Sequence, residues 1–491
     1  MNDAGISLVE RCGADGAERR QRCDEVVAEI EGRGLHSVRL SFADAHGVLR
    51  GKTLRADLVA DAFRDGLGIT SALLMKDTGQ LNVYPVWASG AGLGKSWLTG
   101  AGDVMMLPDP ATFRVLPWVE GTGWLLCDLF SPEAEPVGFS TRAICQAAER
   151  RLNDKGLQFR AGLEVEFHIY QLADGSAGGA GQAAGAGPVG GADLLHTHPG
   201  RVYLGENRFD LIEPFLELLR RDLTALGLPP RSMEVELGPS QAEVTFSPAS
   251  GCETADNAVL LRSAVRQIAR RNGLHATFMS RPNFPNSFTS GWHLHQSLVD
   301  EASGANVMVA DSASNSTAEI LSARGRHYLA GLLEHAIESC LLTTPTITGY
   351  KRYQPESLAP FRAAWGTQHR GAMLRVVGGN GDPATRVENR VGDSAANPYL
   401  YLASQMLSGL SGLETKEEPP PPSDSPYEPA AGPMLPGNLG EAAEAFATSS
   451  FYRSALGDEF VDYLVGLKRA EWNRFLKTVT DWEQTEYLEL F

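Results

Sequence analysis

The stretch TRVENRV, residues 385–391, decides how this chain is read. Arg386, Glu388 and Arg390 occupy alternate positions, with Val387, Asn389 and Val391 between or after them. In a strand, successive side chains point to opposite faces, so Arg, Glu and Arg project from one face together. Taken alone, the pattern fits a solvated edge strand whose charges pair with one another. It fits equally a site that needs a cation ligand between clamps for anions. The choice depends on what else in the chain carries the same pattern.

Other segments do. In GLEVEFHIY (162–170), Glu164 and Glu166 share one face, opposite Leu163, Val165 and Phe167. In MEVELGPSQAEVTF (233–246), Glu234 and Glu236 share a face, and Glu243 follows a Gly-Pro turn. In SGWHLHQSL (290–298), His293, His295 and Ser297 share a face. Each segment alone has a bland reading as a solvated strand face or a core histidine pair. Together they would bring several carboxylates to one concave surface, where like charges repel unless cations intervene. Carboxylates with one histidine suit hard divalent ions such as Mg2+ or Mn2+, and two ions could polarise phosphoryl oxygens.

Size and composition narrow the classes. A chain of 491 residues exceeds one core and predicts two or more units. A hydrophobic content of 43% supports a large core and excludes global disorder. The net charge of −17 offers no basic footprint for nucleic acid. Anions must therefore be handled by local Arg clusters or metal ions. The cysteines at 12, 23, 127, 145, 252 and 340 have no metal or redox spacing, which points to a reducing cytoplasm. No signal peptide and no apolar run of membrane-spanning length is expected.

Along the chain, residues 1–20 read as a disordered tail and 21–135 as a small α+β domain. The latter holds a helix at 22–35 and a hairpin over 37–54 that turns at His46-Gly47. Residues 136–491 read as a catalytic domain of curved, mostly antiparallel sheet with flanking helices. Within it, the Gly/Ala-rich stretch 173–193 is expected to be a flexible insertion, and 417–438 a Pro-rich surface excursion.

With these segments in place, the sequence resembles the glutamine synthetase family over nearly its whole length. The resemblance is carried by LEVEF, EVELGPSQAEV, SGWHLHQSL, GYKRYQPESLAP, QHRGAMLRV and RVENRVGDSAANPYL, in that order. DAHGVLRGK and DPATFRVLPW resemble the family's β-grasp domain. The closing VTDWEQTEYLELF resembles the branch that γ-glutamylates amines other than ammonia.

The resemblance implies an α+β fold and an ATP-dependent glutamate ligase with two metal sites. Glu166, Glu236 and Glu243 match the ligands of the ion near glutamate, and Glu164, His293 and Glu388 those of the ion on the nucleotide. Arg352 and Arg390 match the residues that bind the glutamate carboxylates. Arg370 and Arg375 match those neutralising the phosphates; His295, Ser297 and Arg386 match nucleotide contacts. Asp44 matches a carboxylate that binds ammonium, acting across a subunit boundary in two stacked hexameric rings. Amide formation suits such a site, because phosphorylation turns an oxide into a leaving group and depends on charge neutralisation.

The chain departs from the family pattern in places. Phe288 and Thr289 replace Asn and Gly before the histidine strand. Leu358 stands in the flap where glutamine synthetases carry the Glu that binds ammonium and removes its proton. Tyr427 lacks the surroundings of an adenylylation site. The reading is a ligase for an amine larger than ammonia: arylamine or apolar alkylamine first, polyamine next. A glutamine synthetase proper and a non-catalytic family member are the alternatives.

Overall fold

The computed structural model describes residues 6–173, 194–310, 320–355 and 357–491. The expected insertion falls outside these residues except for Ala173. Among the described residues, no helix is long and apolar enough to cross a membrane.

The first sheet contains β1 (Ser37–Ala43), β2 (Leu49–Arg55), β3 (Leu67–Thr70), β4 (Asp103–Pro108), β5 (Arg114–Val115) and β6 (Thr122–Phe130). Its order is β2-β1-β6-β4-β3, with β5 on β6. β1 and β6 run parallel, and the other pairs are antiparallel. The expected hairpin is β1–β2. Its turn needs Gly47, whose φ is +70° and where a Cβ would meet Arg262 and Pro398.

The large sheet contains β7 (Leu157–Leu172), β8 (Leu194–His196), β9 (Ser232–Val235), β10 (Gln241–Thr245), β11 (Ala249–Ser250) and β12 (Leu274–Thr277). It continues with β13 (Gly291–Asp300), β14 (Trp365–Thr367), β15 (Leu374–Val377) and β16 (Arg386–Asp393). The order is β14-β15-β16-β13-β7-β10-β9, and β8, β11 and β12 also pair with β7. Every pair is antiparallel except β14–β15. The long β7 is the spine of this sheet.

Alternation along these strands divides core from site. Leu163, Val165 and Phe167 of β7 are buried, as are Val387 and Val391 of β16. Helices Thr141–Asn153, Gly251–Arg271 and Pro398–Thr415 pack together on this apolar side. Asn397 caps the last of these by accepting from Tyr399 N and Leu400 N. Its Nδ2 donates to the carbonyls of Asp44 (3.1 Å) and Ala45 (3.2 Å), which ties this helix to the β1–β2 turn.

One sequence expectation changes, over residues 6–20. The disordered tail gives way to order: Ser7 and Glu10 close a capping box on helix Leu8–Arg11, and helix Ala17–Gly32 follows. Leu8 and Val9 are buried against Leu107 and Ala134. Polar composition averaged over the segment concealed this short apolar pair and its cap. The Pro-rich stretch lies on the surface but is pinned. Trp365 Nε1 donates to Pro420 O (2.7 Å), and Tyr427 stacks on Phe361 at 5.6 Å.

Candidate active site

Strand register brings the polar residues of the quoted segments into rows. Glu234 pairs with Glu243, which in turn pairs with Glu166. Glu164 pairs with His293. His295 pairs with Glu388, which pairs with Arg375. A register irregularity between Trp292 and Leu294 lets β13 serve both neighbours in this way.

Glu164 accepts from His293 Nδ1 (2.7 Å) and His295 Nε2 (2.9 Å). Burial opposes its ionisation, but these two histidines hold its carboxyl below the usual range. Arg386 Nε donates to His295 Nδ1 (3.0 Å). Arginine can only donate, so His295 keeps its proton on Nε2, facing Glu164. Glu388 is fully buried and ion-paired with Arg375 Nη1 (2.9 Å) and with Arg390. Burial would raise its carboxyl, yet Arg390 and both histidines hold it low.

The other end of the cluster has the opposite balance. Burial and Glu236 push Glu166 up to about 8, although its Oε2 accepts from Gln241 Nε2 (2.8 Å) and Gly291 N (3.1 Å). Burial raises Glu236 to about 7. Burial, then Glu164, Glu166, Glu236 and Glu234, raise Glu243 to about 11. With protein atoms alone, these carboxyls cannot all be ionised near neutrality. The donor set therefore fits a hard divalent cation. Ligand atoms lie within 4.8 Å of one another in three groups: Glu164, Glu243 and His293; Glu164, His295 and Glu388; and Glu234, Glu236 and Glu243.

These groups differ from the expected ligand sets. His295, expected at the nucleotide, stands among potential ligands, whereas Glu166 is turned toward Gln241 and Gly291 and belongs to none of the three. Glu234 was not expected as a ligand. Its signal was the Glu-x-Glu repeat itself, which puts both carboxylates on one face.

The arginines surround this cluster. Arg352 is buried; its Nη1 donates to Val391 O (2.9 Å) and Gly392 O (2.6 Å), and its Nε has no partner. Arg390 Nε donates to Arg370 O (2.9 Å). Arg375 Nη2 donates to Gln368 (3.0 Å), while its Nε is buried without a partner. The Arg370 side chain is exposed. Ser297 lies part-buried on the same strand face as His295. Half-exposed Tyr203, in a segment without periodicity, borders the cluster. Burial, then Glu236, Glu243 and Glu234, raise its phenol to about 12, and Arg370 opposes them.

Asp44 stands apart from this cluster, between β1 and β2. Its Oδ1 accepts from His46 N (2.9 Å) and Val48 N (3.0 Å), and its Oδ2 from Arg50 Nε (2.9 Å). At 2% exposure it is buried within its own chain, where it holds the β1–β2 turn. Leu358 is 46% exposed, with φ +62°, in a flap that Ser357 anchors through the carbonyls of Arg352 (3.1 Å) and Gln354 (2.6 Å). Phe288 packs on Gly238, and Thr289 O accepts from Gln241 Nε2 (3.1 Å). Both contacts are made by backbone or Cβ atoms, so they do not explain why Phe and Thr stand at these positions.

An antiparallel sheet lined by carboxylates and histidines, ringed by arginines, defines a candidate site for divalent cations and anionic groups. Residues 139–487 match the family model described as glutamine synthetase, catalytic domain. The chain is 41% identical to a γ-glutamylanilide synthase of Acinetobacter sp, over 96% of this chain and 97% of that one. It is 30% identical to a glutamate–isopropylamine ligase of Pseudomonas sp, over 96% and 99%. The solved apo structure of GmaS superposes with a TM-score of 0.77 at 25% identity, covering 94% of this chain and 99% of that one. The chain belongs to the glutamine synthetase family and is a ligase with that family's fold.

Proposed function

We propose that this protein is an ATP-dependent ligase that joins the γ-carboxylate of L-glutamate to an amine larger than ammonia. An arylamine such as aniline or an apolar alkylamine is preferred over a polyamine, and ammonia ranks last. The observation that carries the reaction is the carboxylate–histidine cluster ringed by Arg352, Arg375, Arg386 and Arg390. The names of the relatives support the choice of amine.

In this reading, the γ-carboxylate oxygen of glutamate attacks the terminal phosphoryl group of ATP. ADP leaves and a γ-glutamyl phosphate forms. The amine nitrogen then attacks the carbonyl carbon of the γ-glutamyl phosphate, phosphate departs with the C–O electron pair, and the nitrogen loses a proton. Mg2+ or Mn2+, two or more per site, held by Glu164, Glu166, Glu236, Glu243, His293 and Glu388, would neutralise phosphate charge.

The chain's own residues do the remainder. Arg352 and Arg390 bind the glutamate carboxylates, and Arg forks suit that geometry. Arg375, Arg386, His295 and Ser297 hold the nucleotide, and Arg370 offsets charge on the transferring phosphoryl group. Leu358 presents apolar surface to the amine in place of a carboxylate. An arylamine is neutral at pH 7 and needs no cation site, whereas ammonium benefits from one that also strips its proton.

The resemblance supports a homo-oligomer of two stacked hexameric rings, and the six free cysteines support a reducing cytoplasm. The mass of the protein in solution tests the assembly; a fully active monomer would refute it. ADP release that requires glutamate, an amine and Mg2+ together, with mass-spectrometric detection of the γ-glutamyl amide, tests the reaction. ATP turnover that ignores glutamate would refute it.

A further inference from the structure

A cavity of about 570 Å3 lies between the β1–β2 turn and helix Gly251–Arg271. It shares no lining residue with the carboxylate–Arg cluster. Its charged lining residues are Arg262, Arg266 and Lys468, and no Asp or Glu lines it. That is unexpected in a chain of net charge −17.

The positive charges are not all matched. Lys468 pairs with Glu471 (3.1 Å). Arg262 donates to the carbonyls of Ala396 (2.8 Å), Ser394 (3.4 Å) and Gly47 (3.3 Å), but has no ion-pair partner among the described residues. Arg266, one turn along the same helix, has neither a hydrogen bond nor an ion pair among the described residues. Two cations so spaced repel. Burial and this neighbour lower Arg262 to about 10. His46 gives its Nε2 proton to Lys76 O (2.9 Å), which leaves a buried Nδ1 without a partner. Val48, Val259, Phe278 and Met279 supply an apolar wall.

We propose that this cavity binds a small organic anion: a carboxylate on an apolar body, without an ammonium group. The carboxylate meets the forks of Arg262 and Arg266, which can bind it bidentately. The apolar body lies on Phe278 and Met279. An ammonium group is excluded because no acid lines the cavity to receive it. The volume suits such a ligand.

The test is calorimetric titration of the full-length, Mg2+-loaded protein, saturated with glutamate so that the catalytic site does not take the probe. The probes are benzoate, inorganic phosphate and benzyl alcohol. Benzoate is expected to bind saturably, and the other two at least about tenfold more weakly, because each lacks half of the recognised chemistry. Arg266→Gln should weaken benzoate by about tenfold while Arg266→Lys retains more of the affinity, and ligase turnover should stay unchanged in both. Arg266 bonds to no other group, so neither variant should unfold. The proposal is overturned if benzoate does not bind, if Arg266→Gln leaves its affinity unchanged, or if benzyl alcohol or phosphate binds as tightly.

Discussion

Glu243 and Glu166 stand directly opposite each other in the β10–β7 ladder, each buried. Directly opposed like charges destabilise a sheet, so this pair is stable only with a proton or a cation between the strands. Glu243→Gln should therefore leave the metal-free protein as stable as wild type, or more so. It should also remove most of the stabilisation that Mg2+ gives wild type and lower turnover more than about a hundredfold. Thermal denaturation with Mg2+ or chelator checks this. A mutant as strongly stabilised by Mg2+ as wild type would remove Glu243 from the ligand set.

The same cluster sets a pH dependence. Glu166 and Glu236 have folded-state values raised to about 8 and about 7, above their unfolded values. The folded state then holds more protons than the unfolded state between those limits, so stability falls as pH rises. In chelator, the melting temperature should decline from about pH 5 to about pH 8, and Mg2+ should flatten the decline. A metal-free protein that gains stability over that range would contradict the assignment.

Glu388→Gln removes one ligand charge from between Arg375 and Arg390. Activity should disappear while the fold persists, at a cost of about 1–3 kcal/mol from the weakened charge-assisted hydrogen bonds. Circular dichroism beside an ADP-release assay separates the two effects. Turnover like wild type with unchanged Mg2+ dependence would overturn the role given to Glu388.

Asp44→Ala should behave in the opposite way. It orphans the amides of His46 and Val48 and frees Arg50. A loss of about 1–3 kcal/mol in stability is expected, with kcat/KM of the folded fraction within a few-fold of wild type. A selective rise in KM for the amine at unchanged stability would restore a substrate role.

Much of this was legible in the sequence. Alternation in TRVENRV, GLEVEFHIY and SGWHLHQSL put the charged faces on one surface, and β16, β7 and β13 realise them. What alternation cannot reveal is which strand neighbours which. The pairing of His295 with Glu388, and of Glu234 with Glu243, depends on register set by long-range packing. A motif match says nothing about burial, and only the fold shows the Asp44 oxygens engaged in their own turn. Tyr203 carried no periodic signal; Gln241 alternates with Glu243, but its bond to Glu166 is seen only in the fold.

The flap gives the amine preference its handle. Leu358→Glu places a carboxylate where the exposed leucine stands. Preference should move toward ammonia and away from aniline, by tenfold or more if burying the ring is worth about 1–3 kcal/mol. An unchanged amine profile would show that Leu358 does not line the amine pocket.

In the proposed reading, a glutamate ligase site has been turned toward amines larger than ammonia. The direct measurement is kcat/KM for phosphate release by the purified protein with glutamate, ATP and Mg2+. The amines compared are ammonia, ethylamine, isopropylamine, aniline, putrescine and spermine. Aniline or an apolar alkylamine is predicted to give the highest value and ammonia the lowest. If ammonia gives the highest, the protein is a glutamine synthetase proper and the amine-ligase reading fails.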